Sequence, residues 1–276
     1  MLYIYKLIHL HIDTNSKSFD AASKIITTGF VHRNVERILV FVKKVIYENI
    51  SNICENLSFI TDGKDVQAAK RTGLIAESES FYNSKAVLAK YKTKVIELFH
   101  FLKKDFELNT LTVFGELIGG GYPHTNVPIS PYSKLVQKGI YYSPENDFFA
   151  FDILLNGKQY LDVELANSLF KKFNFIFANT LFKGNLKACL EYPNKFKSTI
   201  PIKFGLPELN GNLCEGVIIR PLKPLFFKGG SRVIIKNKNK EWSENNNLIN
   251  PQLLSQLLNS DENLSEEAEN LCKEAY

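Results

Sequence analysis

The chain has 276 residues, is 45% hydrophobic and carries a formal net charge of +5, which excludes a disordered or collagen-like polymer and allows one large core or two modest ones. The charge is uneven: residues 259–276 hold six acids and one base, leaving 33 bases against 23 acids in the rest, a balance that suits a polyanion such as nucleic acid and equally a lysine-rich solvated surface. The four cysteines, Cys54, Cys189, Cys214 and Cys272, lack the paired spacing of a zinc site or a disulfide framework and point to a reducing intracellular setting, cytoplasmic or nuclear with an organelle left open.

The opening MLYIYKLIHLHID is apolar but broken by Lys6, His9 and His11. It is too short to span a bilayer and lacks the layout of a signal peptide, so no membrane partner is expected. ILVFVKKVIYENI (38–50) reads as two short strands or one bent one. In LSFITDGKDVQAAKRTG (57–73), two strand-like runs flank Asp62-Gly63, a favoured hairpin turn. A helix is predicted over 84–104, with Leu88, Tyr91, Val95, Leu98, Phe99 and Leu102 as one apolar stripe and lysines 85, 90, 92 and 94 on a solvated face. LTVF before FGELIGGGYPH (114–124) reads as a strand, with Glu116 at its end and three glycines that let the backbone turn or approach a ligand.

DFFAFDILL (147–155) predicts a further strand, and ANSLFKKFNF (166–175) and NLKACLEY (185–192) predict helices. CEGVIIRPL (214–222) and SRVIIKNKN (231–239) predict two more strands joined through Pro224 and Gly229-Gly230. The end, from Pro251 to Tyr276, reads as an amphipathic helix with an acidic tail. Strands outnumber helices and meet by hairpins, so the expected class is α+β with largely antiparallel sheets. The expected division is an N-terminal extension over 1–40, one domain over 41–248, and a C-terminal helix with its tail over 249–276.

Charged residues recur at strand ends or inward positions: Lys70-Arg71, Glu116, Glu215, and Lys236 with Lys238. The last two are two apart on a strand and share a face, where two ammonium groups repel unless an anion such as phosphate lies between them. Glu116 and Glu215 could bind hydroxyls or a hard cation such as Mg²⁺, and Phe149 or Phe151 could stack on a base. Each also has a plain structural reading: Glu215 as an exposed strand start, the lysines as edge-strand charges, Phe151 as core, Arg71 as a surface cation.

Taken together, AAKRTG, FGELIGGGYPH, YSPENDFFAFDI, EGVIIRP and IIKNKNKEW resemble, in family order, the motifs of the covalent nucleotidyltransferases, which include ATP-dependent ligases and capping enzymes. More narrowly they resemble the RNA ligase family of the nick-sealing phage enzyme and the trypanosome RNA-editing ligases. The resemblance covers roughly residues 45–245. It implies a ligase-type nucleotidyltransferase domain with antiparallel sheets around a nucleotide cleft, and a chain that uses ATP and Mg²⁺ to join RNA 3′-hydroxyl and 5′-phosphate ends, or nicks in a duplex, in RNA repair. By the same resemblance Glu116 contacts the ribose of ATP, and Arg71 holds the ribose or phosphate side. Phe151 stacks on the adenine, Glu48 reads its edge, and Glu215 helps place the metal. Lys236 and Lys238 grip the α-phosphate and neutralise charge in the transition state.

One family element is missing. The pattern Glu-Lys-x-x-Gly-x-Asn supplies the lysine that attacks ATP, whereas this chain reads YENISNICENLSFITDGKDV. Anchoring on Asn56 puts Ser51 at the lysine and Cys54 at the glycine. Anchoring on Glu48 with a two-residue insertion puts Asn49 and Asn52 there. The expectation is therefore either a ligase crippled at one position (by degeneration or by a mis-spliced front of the gene) or a non-catalytic module that keeps the cleft for ATP or RNA ends. Some relatives carry a helical domain after the last motif. The stretch beyond IIKNKNKEW is too short for one, so a partner protein is expected to help engage RNA.

Overall fold

The computed structural model describes residues 44–48, 55–226, 230 and 232–242. The N-terminal extension, the stretch 38–43, the loop 49–54 and the C-terminal helix expected from the sequence lie outside them. Two sheets organise the described residues. The larger contains β2 (Glu55–Thr61), β3 (Val66–Lys70), β4 (Gly73–Leu74), β5 (Leu111–Gly121), β6 (Ser143–Leu155) and β7 (Gln159–Tyr160), in the order β4-β3-β2-β5-β6-β7. A short β8 (Ile176–Phe177) joins β6 in parallel; the other pairings are antiparallel. The smaller sheet runs β11-β10-β1-β9, made of β1 (Lys44–Glu48), β9 (Phe182–Gly184), β10 (Gly216–Pro221) and β11 (Ile235–Lys238), all antiparallel. The α+β class with antiparallel sheets is the one expected.

Helix α1 (Ser84–Leu102) covers one face of the larger sheet. Its buried stripe is Val87, Tyr91, Val95, Leu98, Phe99 and Leu102, with Leu88 only half-buried at the margin. These pack on Leu57, Phe59, Val113, Leu117, Phe148, Ala150 and Ile153, the alternate residues of β2, β5 and β6 that point the same way. The helix lysines are exposed or half-buried and anchored: Lys90 to Asp147, Lys92 to Asp65, and Lys94 to the Asn174 carbonyl. A second cluster, with Ile118, Phe149, Ile218 and Ile234, fills the space between the two sheets.

Several elements differ from the sequence reading. The β2–β3 turn spans residues 62–65 rather than Asp62-Gly63 alone, because the Asp62 carboxylate accepts from the Lys64 and Asp65 amides and widens the loop. Helix α2 occupies Val163–Lys172, earlier than predicted; Asn174 takes a left-handed conformation (φ 55°) and ends it. Helix α3 (Leu186–Leu190) starts where expected, with the Asn185 side chain accepting from the Ala188 amide. The largest difference lies at the triple glycine. β5 does not stop at Glu116 but runs on through Gly121, with an irregular register between Gly119 and Gly121.

Candidate functional site

Glu116 lies inside β5 and is 3% exposed. Leu111, Val113 and Leu117 alternate toward α1, so Glu116 and Ile118 face the other way, toward the smaller sheet. Glu116 is therefore not at the strand end, as the sequence suggested, but buried within the strand between the sheets. Asn56 on β2 is its cross-strand neighbour.

The glycines after it serve a different close approach from the one expected. Gly119 and Gly120 have φ of 82° and 92°, where other residues are strained. A Cβ on Gly120 would overlap the Lys134 carbonyl. The Gly119 carbonyl accepts from the Val136 amide. What the stripped backbone admits is the protein's own chain, the loop over residues 122–142 that links β5 to β6.

That loop reaches Glu215. Gln137 Nε2 and the Tyr142 hydroxyl both donate to Glu215 Oε1. Glu215 is fully buried, and its own carbonyl accepts from the Asn239 amide at 2.9 Å. A buried carboxyl group held by two neutral donors has a fixed orientation, which is not the exposed strand start that was the alternative. It opens β10, whose Val217 and Ile219 pack on one side while Ile218 and Arg220 face the larger sheet.

Across the ladder, Lys236 stands opposite Ile218 and Lys238 opposite Gly216, so both lysines share the inward face of β11. Gly216 has φ 142°, and a Cβ there would overlap the Asn237 carbonyl, so glycine is what lets β10 start beside these lysines. Lys236 is half-buried. Burial holds its ammonium pKa below the ordinary lysine value; Glu116 and Glu215 oppose that shift, and Lys238 and Arg71 reinforce it. Four charged side chains thus act on Lys236. Arg71 itself is exposed, in the turn between β3 and β4.

Phe151 sits at a bulge. Phe114 pairs with Asp152 and Gly115 with Ala150, leaving Phe151 as the extra residue. The bulge breaks the alternation of β6: Ala150 and Ile153 both point to α1, while Phe151 packs on the inter-sheet cluster and Asp152 also faces the smaller sheet. Phe149 is sealed in that cluster, whereas Phe151 keeps exposed surface, so of the two rings only Phe151 offers a face to a ligand.

Sequence reasoning assigned no role to the ion triad beside it. Asp152 is 2% exposed and takes Arg220 Nη1 at 2.6 Å and Arg232 Nη1 at 2.5 Å. Arg220 also donates to the Phe151 carbonyl, and the Arg232 guanidinium lies 4.0 Å from the centre of the Tyr160 ring. The signal was Asp152 within DFFAFDILL and Arg220 within CEGVIIRPL, each flanked by apolar strand residues. Buried charges of opposite sign demand each other. Gln137 and Tyr142 gave no comparable signal, since a polar loop residue has no period.

Glu48 is described at the backbone only, paired with Val217, two residues after Glu215, at the end of β1. Lys44 is at the other end of the strand, opposite Pro221. Among the described residues no three His, Cys, Asp or Glu side chains converge as a metal cage. Glu116 and Glu215, both buried and both acting on Lys236, are the carboxylates that would hold a hard cation, which prefers oxygen donors.

The RNA ligase family model matches residues 54–238. The chain is 31% identical over 214 residues to the mitochondrial RNA-editing ligase 1 of Trypanosoma brucei brucei, covering 66% of this chain and 46% of that protein. It therefore spans about half the length of that relative. Among solved structures, a variant of Naegleria gruberi RNA ligase with ATP and Mn superposes with a TM-score of 0.50 at 16% identity, over 77% of this chain and 54% of the other. The same ligase with PPi gives 0.50 at 17% identity, over 76% and 53%. At that identity the likeness is one of fold.

Proposed function

This chain belongs to the RNA ligase family, and from that premise we propose that its cleft binds ATP with a divalent metal, Mg²⁺ by preference, and acts on RNA 3′-hydroxyl and 5′-phosphate ends. The observation that carries the proposal is the setting of Lys236, half-buried on a face shared with Lys238 and acted on by Glu116, Glu215 and Arg71. Cations beside two buried carboxylates suit a ligand that brings both phosphates and hydroxyls. The Naegleria ligase structures hold ATP with Mn, or PPi, which supports a nucleotide ligand here.

In this reading Lys236 and Lys238 hold the α-phosphate, Glu116 takes the ribose hydroxyls, and Arg71 closes over the ribose or phosphate side from the exposed turn. Phe151 offers its ring to the base, with Glu48 at the base edge. Glu215, oriented by Gln137 and Tyr142, faces the metal, which when bound draws charge off the phosphate oxygens.

Ligation by this family runs in three transfers. A lysine amine attacks the α-phosphorus and pyrophosphate leaves. The AMP then moves to an RNA 5′-phosphate. A 3′-hydroxyl finally attacks that phosphorus and AMP leaves. The sequence holds no lysine between Val45 and Gly63, so the first transfer lacks its nucleophile. The third needs only orientation, a metal and cations around the phosphate. The chain is therefore expected to form no covalent adenylate with labelled ATP and to seal pre-adenylated RNA slowly. Replacing residues 49–55 with a Lys-Ile-His-Gly-Ala loop should restore the adenylate. An adenylate on the unmodified chain would assign the attack to another lysine. Neither activity, even after the loop swap, would leave the second reading, a binding module for ATP or RNA ends; the missing lysine is the observation that favours it.

A partner protein that supplies further RNA contacts remains part of the proposal. Among the described residues no helix is long and apolar enough to cross a membrane. The trypanosome relative is named as mitochondrial, which puts an organelle among the places to look for this one.

A further inference from the structure

Two large apolar side chains are the most exposed among the described residues: Ile129 at 91% and Tyr132 at 85%. Both lie on the β5–β6 loop, and Leu135, 42% exposed, follows them. None is needed for packing, and clustered apolar exposure on one segment marks a contact surface. The loop is also short of negative charge. From Leu117 to Pro144 the sequence contains no Asp or Glu, while His124, Lys134 and Lys138 lie within it. Of the acids around it, Glu79 is engaged with Lys70, Glu208 with Lys197, Asp147 with Lys90, and Glu215 with Gln137 and Tyr142; Glu145, exposed, directly follows the acid-free stretch.

The loop is held firmly to the cleft. The Lys134 amide donates to Asn146 Oδ1, and the Asn146 side chain donates back to the Lys134 carbonyl. Val136 hydrogen-bonds Gly119, and Gln137 holds Glu215. Tyr132 therefore stands at most about 18 Å of extended chain from Gln137, the residue whose side chain holds Glu215. Lys138 is the next residue after the one that orients that carboxylate.

Resting on the reading of the cleft given above, we infer that this loop is the platform for the end of the RNA strand: Tyr132 stacks on an unpaired base, Ile129 covers its edge, and Lys134 and Lys138 meet the phosphates that lead into the cleft. An exposed aromatic ring among cations without acids is the combination that binds single-stranded nucleic acid with little regard to sequence. A protein partner would not need the acid-free stretch, and a second copy of this chain, basic in the same place, would be repelled by it.

The test uses the full chain and a fluorescein-labelled single-stranded oligoribonucleotide, with anisotropy reading RNA affinity and calorimetry reading ATP affinity. Tyr132→Ala should raise the RNA Kd about tenfold, Tyr132→Trp should restore it, and ATP affinity should not change in either. Lys134→Ala with Lys138→Ala should lower the log–log salt slope by about 1.4. An RNA Kd indifferent to Tyr132→Ala in a protein that still binds ATP overturns the platform and leaves the cleft reading intact. ATP binding with no RNA binding at all also overturns it. A loss of ATP binding with Tyr132-dependent RNA binding retained would sustain the platform and remove the cleft reading. A Tyr132 variant that changes the sedimenting mass but not the RNA Kd would make the surface a contact between copies, against the inference.

Discussion

Burial at Lys236 disfavours its own ammonium form, and the carboxylates of Glu116 and Glu215 restore that form only in part. The folded-state pKa thus lies below the ordinary lysine value of 10.5. Between the two, the unfolded chain binds a proton that the native state lacks, so stability rises with pH across that window. A bound triphosphate reverses the preference and draws a proton onto Lys236. ATP affinity should be flat below the depressed pKa and fall as pH climbs through it, by up to about tenfold per unit. Calorimetry in buffers of different ionisation enthalpy reads the proton uptake; Lys236→Met should weaken binding and abolish the uptake. Uptake of the same size in that variant would assign the titration to another group. Asp152 presents the opposite case, a buried acid with two cations. Asp152→Ala strands Arg220 and Arg232 and should cost about 3–5 kcal/mol in urea unfolding. Arg232→Ala leaves Asp152 paired with Arg220 and should cost closer to ~2 kcal/mol. Equal costs would mean that the second arginine is not secondary.

At the scale of elements, the end of β5 carries the most demanding local geometry. Gly120→Ala adds a Cβ against the Lys134 backbone, which has no rotamer to yield with. Gly157, also at positive φ (65°), has open space around it. Thermal or urea unfolding should therefore separate the two: about 1 kcal/mol for Gly157→Ala, and over ~3 kcal/mol for Gly120→Ala. Similar values would mean that the β5–β6 loop simply lifts away. The strands and α1 were legible in the sequence because period-2 and helical apolar patterns are local properties. The shared face of Lys236 and Lys238 followed from the same arithmetic. What was not legible depends on register. The bulge at Phe151 is one extra residue measured against β5, and no pattern within DFFAFDILL alone reveals it. The burial of Glu116 needed the knowledge that a second sheet lies opposite. The fate of Gly119 and Gly120 needed the position of Lys134, distant in sequence from both.

For the whole molecule, the separation of charge along the chain predicts an electrostatic effect of its own. Residues 259–276 concentrate six acids while the rest is strongly basic, and a polyanion is attracted by one and repelled by the other. Deleting them should tighten RNA binding at low salt and make its salt dependence steeper, with a log–log slope of several units. An affinity that ignores salt would remove RNA from the proposal and leave the nucleotide. The β5–β6 loop carries a different consequence, one for evolution. It is pinned where Lys134 and Val136 meet Asn146 and Gly119, and Val136, Ile140 and Tyr142 enter the cores, while Ile129 and Tyr132 ahead of that pin stay exposed. Added length there costs little, since closure entropy grows only with the logarithm of loop size. Lineages that came to handle different transcripts could rewrite residues around Tyr132 repeatedly, in sequence and in length, without disturbing the strand that carries Glu116 or the grip of Gln137 on Glu215.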